Sequence, residues 1–288
     1  MQKKKKATPK PKPVSIVESI PIEEQHNVIF KPNDGPQTSF LAAGEREVLY
    51  GGSAGGGKSY AMLADPLRYM GHPAFSGLLL RHTTEELREL IFKSQEMYPK
   101  IWPGIKWSER KMQWTAPSGA RLWMSYLDRE DDVLRYQGLA FSWIGFDELT
   151  QWPSPFAWNY MRSRLRSTAP DLPVYMRATT NPGGRGHHWV KKMFIDPAAH
   201  NKAFDATDIE TGEVLKYPAG HEKAGRSLFK RKFIPARLSD NPYLSRQGDY
   251  EAMLLSLPEQ QRRQLLDGDW DIKEGLEHVT MDTEVSLV

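Results

Sequence analysis

One stretch restricts what this chain can fold into more than any other: Glu47-Val48-Leu49-Tyr50-Gly51-Gly52-Ser53-Ala54-Gly55-Gly56-Gly57-Lys58-Ser59. A short apolar run enters a glycine cluster, which leads into Tyr60-Ala61-Met62-Leu63-Ala64, read as helix. Gly52, Gly57, Lys58 and Ser59 stand at the G-x-x-x-x-G-K-[ST] spacing of a phosphate-binding loop, with Ser53, Ala54, Gly55 and Gly56 between them. Glycines let the backbone curl until successive N–H groups face one anion. The helix that follows adds its first N–H groups and the positive end of its dipole. Lys58 is then placed to reach the β- and γ-phosphates of ATP, and the Ser59 hydroxyl to ligate Mg²⁺. A flexible glycine turn would satisfy the same spacing, but an apolar strand before it and a helix after it favour the nucleotide.

A second landmark is Phe141-Ser142-Trp143-Ile144-Gly145-Phe146-Asp147-Glu148, an apolar strand ending on two carboxylates. A strand adjacent to the phosphate-loop strand would deliver Asp147 to Mg²⁺. Glu148, one residue on, would orient and deprotonate the attacking water. Pro173-Val174-Tyr175-Met176-Arg177-Ala178-Thr179-Thr180-Asn181-Pro182 reads as another buried strand, and its polar end suits sensing of the γ-phosphate or of that water. Upstream, Gln37 precedes the loop closely enough for its amide to read adenine, with Phe40 to stack on the base. The plainer reading is a helix start with Gln37 in solvent.

Between the landmarks, Gly77-Leu78-Leu79-Leu80-Arg81 reads as a buried parallel strand. Arg81 falls at its C-terminal end, where ligands collect in open α/β sheets. Thr83 and Glu86 match a capping box for a helix to about Met97. Trp107 to Trp114 and Arg121 to Leu127, joined through Ala116-Pro117-Ser118-Gly119, read as a β-hairpin. Residues 196–226 are polar, with Pro and Gly, and read as an insertion or hairpin. Two short helices, about 245–256 and 258–266, would form a lid. Strands alternating with helices give an α/β fold with a mainly parallel sheet.

Composition limits the remainder. Lysine and arginine number 39 against 36 acidic residues, a net charge of +3, too mild to imply nucleic acid by itself. There is no cysteine, so neither disulfides nor thiolate metal sites. No apolar run approaches the roughly 18 residues of a membrane span. Met1-Gln2-Lys3-Lys4-Lys5-Lys6 opens a Lys/Pro-rich tail without the apolar core of a signal peptide. A solvated tail is the simpler reading, a weak electrostatic tether to DNA the sharper one. Lys191, Lys192, Lys230, Arg231 and Lys232 are further basic clusters, which on the same grounds read as solvated faces.

Taken together, Gly52 to Ser59, Arg135-Tyr136-Gln137-Gly138 ahead of Phe146-Asp147-Glu148, Thr179-Thr180-Asn181-Pro182, Phe233 to Pro242, and Leu266-Asp267-Gly268-Asp269-Trp270-Asp271 resemble the large terminase subunit of tailed bacteriophages over residues 30–271. The resemblance implies an ASCE-type P-loop NTPase with a small helical lid. It implies an ATP-driven motor that packages double-stranded DNA into a procapsid in the host cytoplasm. The implied partners are a portal protein, a small terminase subunit and further copies in a ring. Asp147 would handle Mg²⁺, Glu148 would be the base, and Thr179, Thr180 and Asn181 would couple hydrolysis to movement. On this reading residues 1–29 are a disordered basic tail and lead-in, 30–240 the ATPase core, 241–271 the lid, and 272–288 a tail.

Two departures stand out. The family often carries an arginine inside the phosphate loop, and Ser53 to Gly56 contains none. The family usually continues into a nuclease domain, and Ile272 to Val288 is too short for one, so either the nuclease lies on another chain or this is a truncated or rearranged subunit, and cutting is not expected of residues 1–288. A trans arginine from a neighbouring copy would supply the missing charge. Arg135 is the first candidate, and Arg162 and Arg164 are the next. A P-loop kinase of a small molecule is the alternative enzyme, with Arg162, Arg164 and Arg166 as lid arginines. It has less use for the Asp147–Glu148 pair, because its substrate brings its own nucleophile.

Overall fold

The computed structural model describes residues 30–246 and 248–272. The predicted basic tail and most of the C-terminal tail lie outside them.

Six strands form a parallel core: β1 (Glu47–Gly52), β2 (Ser76–Arg81), β5 (Arg121–Tyr126), β6 (Trp143–Asp147), β7 (Tyr175–Thr180) and β9 (Lys230–Ala236). Short antiparallel strands extend the two edges: β3 (Lys106–Ser108) and β4 (Gln113–Thr115) on one side, β8 (Ala203–Asp205) on the other. The order is β3-β4-β5-β2-β6-β7-β1-β9-β8. The helices ahead of the lid are α1 (Pro36–Ala42), α2 (Lys58–Ala64), α3 (Thr84–Ile101), α4 (Phe156–Arg162) and α5 (His187–Val190). β1, β6 and β7 are buried at every residue, as expected when helices cover both faces of a parallel sheet.

Strand alternation assigns the side chains to two cores. Leu78 and Leu80 of β2 join Trp152, Trp158 and Phe194 on one face. Leu79 points the other way, toward Leu87, Leu90 and Tyr98 of α3. The capping box that starts α3 is formed as predicted: Glu86 N–H donates to the Thr83 hydroxyl at 3.3 Å, and Thr83 N–H to the Glu86 carboxylate at 3.4 Å. The helix runs past Met97 to Ile101, carrying Pro99 within it.

Several expectations need correction. β6 is not the neighbour of β1, because β7 lies between them, with Asp147 and Tyr50 both opposite Thr179. The first arm of the predicted hairpin is itself split into β3 and β4 by a turn at Glu109–Met112, where Met112 adopts a left-handed φ of 49°. Only β4 and β5 pair as the predicted hairpin. The lid is more broken than expected: α6 (Pro242–Ser245), α7 (Asp249–Leu255) and α8 (Glu259–Arg262), the last running on as a wider turn through Arg263–Asp267. Of the basic residues read as solvated faces, Lys192 and Lys230 are exposed, but Arg231 is buried, and several of the lysines meet carboxylates. Lys191 meets Asp196 at 2.6 Å, Lys230 meets Asp205 at 3.4 Å, and Lys232 meets Glu45 at 3.8 Å.

Where β1 begins, Glu47 is fully buried between Arg231 of β9, whose Nε donates at 2.8 Å, and Arg162 of α4. The two guanidiniums hold the Glu47 carboxyl below its usual range against the opposing effect of burial. Its stabilising contribution is therefore complete above the unfolded carboxylate's ~4.3 and is withdrawn as pH falls through the lower folded value. Glu47→Leu strands two guanidiniums, one of them buried. It is expected to cost about 3–5 kcal/mol in denaturant unfolding; a loss under about 1 kcal/mol would show that the pairing is dispensable.

Candidate nucleotide site

The phosphate loop sits where the parallel strands end. Gly52, Gly55 and Gly57 take φ of 142°, 76° and 77°. A Cβ at Gly52 would lie 2.2 Å from the Ala236 carbonyl, so glycine is required there both by conformation and by space. Lys58 opens α2, with Ser59 in its first turn. Among the described residues, the backbone N–H groups of Gly55 to Tyr60 donate to no acceptor. They are a set of donors left for an anion. By contrast Ser53 N–H is used by the Ala236 carbonyl at 2.8 Å, and Ala54 N–H by the Leu265 carbonyl at 2.6 Å.

Those two bonds tie the loop to its flank. Asn241, ahead of α6, donates from its side chain to the Gly55 carbonyl at 2.7 Å, and Tyr50 donates to the Gly56 carbonyl at 2.8 Å. Gly268 packs so closely that a Cβ there would meet Ser53 N at 2.6 Å. The lid is thus bonded directly to the loop. Sequence reasoning places these residues in a lid without assigning them this contact; the Asn241-Pro242 step and Gly268 are the available signals.

Lys58, Asp147, Glu148 and Asn181 converge although they come from three strand ends. Lys58 Nζ donates to the Ser53 carbonyl at 2.6 Å and to Asn181 Oδ1 at 2.8 Å. Asn181 N–H donates to Glu148 Oε2 at 3.2 Å. Glu148 itself has a left-handed backbone, φ 59° and ψ 59°, uncommon outside glycine and characteristic of functional positions. Burial pushes the Glu148 carboxyl above its usual range, and the neighbouring Asp147 charge pushes it further. Burial also lowers the Lys58 ammonium, against the pull of the two carboxylates.

Asp147 is 2% exposed. Thr179 donates to its Oδ1, and Arg81 reaches its Oδ2 at 2.5 Å. Gln151 donates to Glu86 at 2.7 Å, and Glu86 lies 3.5 Å from the Arg81 guanidinium. Thr180 pairs with the Thr150 hydroxyl at 2.7 Å. All three residues of the predicted polar strand end therefore touch the acidic segment Asp147–Thr150 or Lys58. The donor set suits Mg²⁺, a hard cation held by one or two carboxylates, phosphate oxygens and waters. Ser59 offers a hydroxyl, and each Asp147 oxygen keeps a lone pair beyond the one engaged.

Other predicted residues are placed differently. Gln37 reaches the loop, but its amide is engaged within the protein: Nε2 donates to the Gly57 carbonyl at 2.8 Å, and Oε1 accepts from Asn33 N–H at 2.6 Å. Phe40 is buried and stacks on Tyr50 with centroids 5.2 Å apart, so it offers no face to a base. Arg162 is committed to Glu47 at the opposite end of β1. Arg164 lies over Tyr160 at 5.4 Å, and Arg166 donates to the Gly138 carbonyl at 3.0 Å. Arg135 follows β5, four strands from β1, roughly 19 Å at the usual strand spacing. It is exposed and pairs with Asp132 at 3.1 Å, away from its own chain's loop.

Residues 49–276 match the family described as terminase large subunit, T4likevirus-type, N-terminal. The chain belongs to that family. No curated protein matches the sequence. Among solved structures, the large terminase from a thermophilic bacteriophage, in complex with ADP, is similar over 83% of this chain and 54% of its own, at 18% identity and a TM-score of 0.58. Another crystal form of that phage protein is similar over 85% and 55%, at 17% identity and 0.61. The ATPase domain of the Thermus phage P74-26 large terminase is similar over 84% of this chain and 94% of its own, at 14% identity and 0.53. The terminase chain thus spans about half the length of the first of these proteins. At these identities the likeness is one of fold: the terminase chain shares the P-loop α/β architecture.

Proposed function

We propose that this terminase chain hydrolyses ATP as the motor of viral DNA packaging. The observation that supports this best is the convergence of Lys58, Asp147, Glu148 and Asn181 beside a row of free loop N–H groups. The N–H groups and Lys58 hold the β- and γ-phosphates. Mg²⁺, held by Ser59 and Asp147, supplies charge neutralisation of the phosphates when bound. Glu148 takes a proton from a water as that water's oxygen bonds to the γ-phosphorus, and the bond to the bridging oxygen breaks to release ADP. Asn181, bonded to both Lys58 and Glu148, registers the change and passes it into β7. A carboxylate base next to the Mg²⁺-binding Asp147 suits water as the nucleophile, because a kinase's substrate brings its own.

In this reading the chain translocates double-stranded DNA, in a ring of copies docked through a portal protein on a procapsid in the host cytoplasm, with a small terminase subunit delivering the DNA. Duplex DNA is expected to raise ATP turnover of the assembled motor several-fold. Turnover indifferent to DNA but accelerated by a small phosphoryl acceptor would transfer the site to the kinase class.

Arg135 is proposed as the trans arginine. Its exposure, and its distance from its own loop, suit action on a neighbour. Such arginines are worth roughly 10³–10⁵ in rate. Arg135→Ala and Lys58→Ala should each be inactive alone and regain part of the activity when mixed in one ring. Full activity of assembled Arg135→Ala would eliminate this residue.

A further inference from the structure

The end of the sheet opposite the phosphate loop carries a second pocket. β1 and β7 begin there, while α1 and the Asp65–Tyr69 turn end there. Between them lies a pocket of about 430 Å³ whose lining includes Arg46, Arg68, Arg177, Tyr69, Val174 and Tyr175. This is within the usual range for ligand clefts, roughly 300–1,000 Å³, and larger than a bare phosphate needs.

The deeper part is polar and closed to solvent. Arg177 is 2% exposed and Tyr175 6%. Arg177 is fixed: its guanidinium donates to the carbonyls of Ala43 at 2.6 Å and Glu45 at 3.0 Å, and lies 4.3 Å from the centre of the Tyr175 ring. The Tyr175 hydroxyl, however, has no hydrogen-bond partner among the described residues. Burial and the Asp65 charge hold it protonated, so it remains a donor. A buried donor without an acceptor is costly, about 1–3 kcal/mol, and such a group in a pocket calls for an explanation.

Charge defines the acceptor. Three guanidiniums face two carboxylates, Asp65, which pairs with Arg68 at 3.1 Å and lies 3.8 Å from Arg177 Nε, and Glu45, whose charge also reaches Arg177. Glu45, nearby in sequence, is directed to Lys232. Arg46 is half-buried, and its side chain makes no hydrogen bond or ion pair among the described residues. The pocket therefore has a cationic excess, an unused guanidinium and an unused hydroxyl, beside the apolar surfaces of Tyr69 and Val174. We propose that it binds the carboxylate of an acidic peptide from a partner protein, with Arg46 pairing the carboxylate and the Tyr175 hydroxyl donating to the same segment. Guanidinium–carboxylate pairing gives such capture its geometry. Duplex DNA fits less well: its phosphates lie on a convex surface and cannot reach a group as recessed as Tyr175.

The test is fluorescence anisotropy on the full chain, using a fluorescein-labelled Gly-Ser-Leu-Asp-Tyr-Glu peptide with a free C-terminus and its amidated Gly-Ser-Leu-Asn-Tyr-Gln counterpart. The acidic peptide should bind saturably below about 1 mM, a free energy near 4 kcal/mol, and the neutral one should not. Arg46→Ala should weaken binding about tenfold, and Tyr175→Phe about threefold. Both variants should keep wild-type ATP turnover, since neither residue belongs to the nucleotide site; Arg46→Ala should also keep the wild-type melting curve, and Tyr175→Phe, which removes an unpartnered buried hydroxyl, should melt no lower than wild type. No binding up to about 5 mM, equal binding of the two peptides, or indifference to both variants would overturn the proposal. Displacement by inorganic phosphate at matched concentration would reduce the pocket to a bare oxyanion site. Competition by duplex DNA that Arg46→Ala abolishes would reassign it to nucleic acid. Either result refutes a peptide site.

Discussion

Lys58→Ala is expected to lower ATP hydrolysis by on the order of 10³-fold while leaving the chain folded. Among the described residues, its ammonium is the cation bonded within the loop, to the Ser53 carbonyl and to Asn181. Single neutral donors at a developing oxyanion are worth roughly 10²–10³ in rate. A full charge in a buried site is worth at least as much, or about 4 kcal/mol of transition-state stabilisation. Stability should suffer far less, since truncation leaves two acceptors that loop water can satisfy. Binding of the nucleotide should weaken as well. Single-turnover rates at saturating ATP, set beside a melting curve, separate the effects. Near wild-type turnover in a folded variant would remove Lys58 from the chemistry, and with it the case for a phosphate loop.

Glu148→Gln is expected to bind ATP normally and turn it over roughly 10²–10⁴-fold more slowly. A glutamine oxygen can still accept from Asn181 N–H, so the geometry survives while the proton acceptor is lost. The wild-type pH profile carries an independent signature. The carboxyl must be ionised to act as base, and burial together with Asp147 raises its pKa. Activity should therefore rise with pH through a value above the ~4.3 of an ordinary glutamate, and this limb should vanish in the variant. A Glu148→Gln protein that failed to bind ATP, yet kept its turnover per bound nucleotide, would make Glu148 a binding residue.

The resemblance of several separated strings to one family is legible before any fold is known, and so is the phosphate loop. Both rest on local rules. A loop that needs left-handed backbone at Gly55 and Gly57 and contact distance at Gly52 can be written only in glycine. The Thr83–Glu86 cap is legible for the same reason: its two hydrogen bonds span three residues. Leu78, Leu79 and Leu80 read as a buried strand because only a strand covered on both faces tolerates that run.

Tertiary structure decided everything that depends on which strand lies beside which. Sequence order says nothing about insertion of β7 between β1 and β6, yet that insertion brings Thr179 to Asp147 and Asn181 to both Lys58 and Glu148. It also decided the partners of isolated side chains. Arg162 looks available beside a catalytic segment and is tied to Glu47; Phe40 looks like a base platform and is core; Gln37 commits its amide to Gly57 and Asn33. Arg81 stands at a strand end, as its sequence position indicates, but its bond to Asp147 follows from the β2–β6 pairing. Composition and spacing specify which groups a chain possesses and how its backbone can turn locally. Contacts such as Lys58–Asn181, 123 residues apart, are fixed only when burial of both sheet faces selects one strand order.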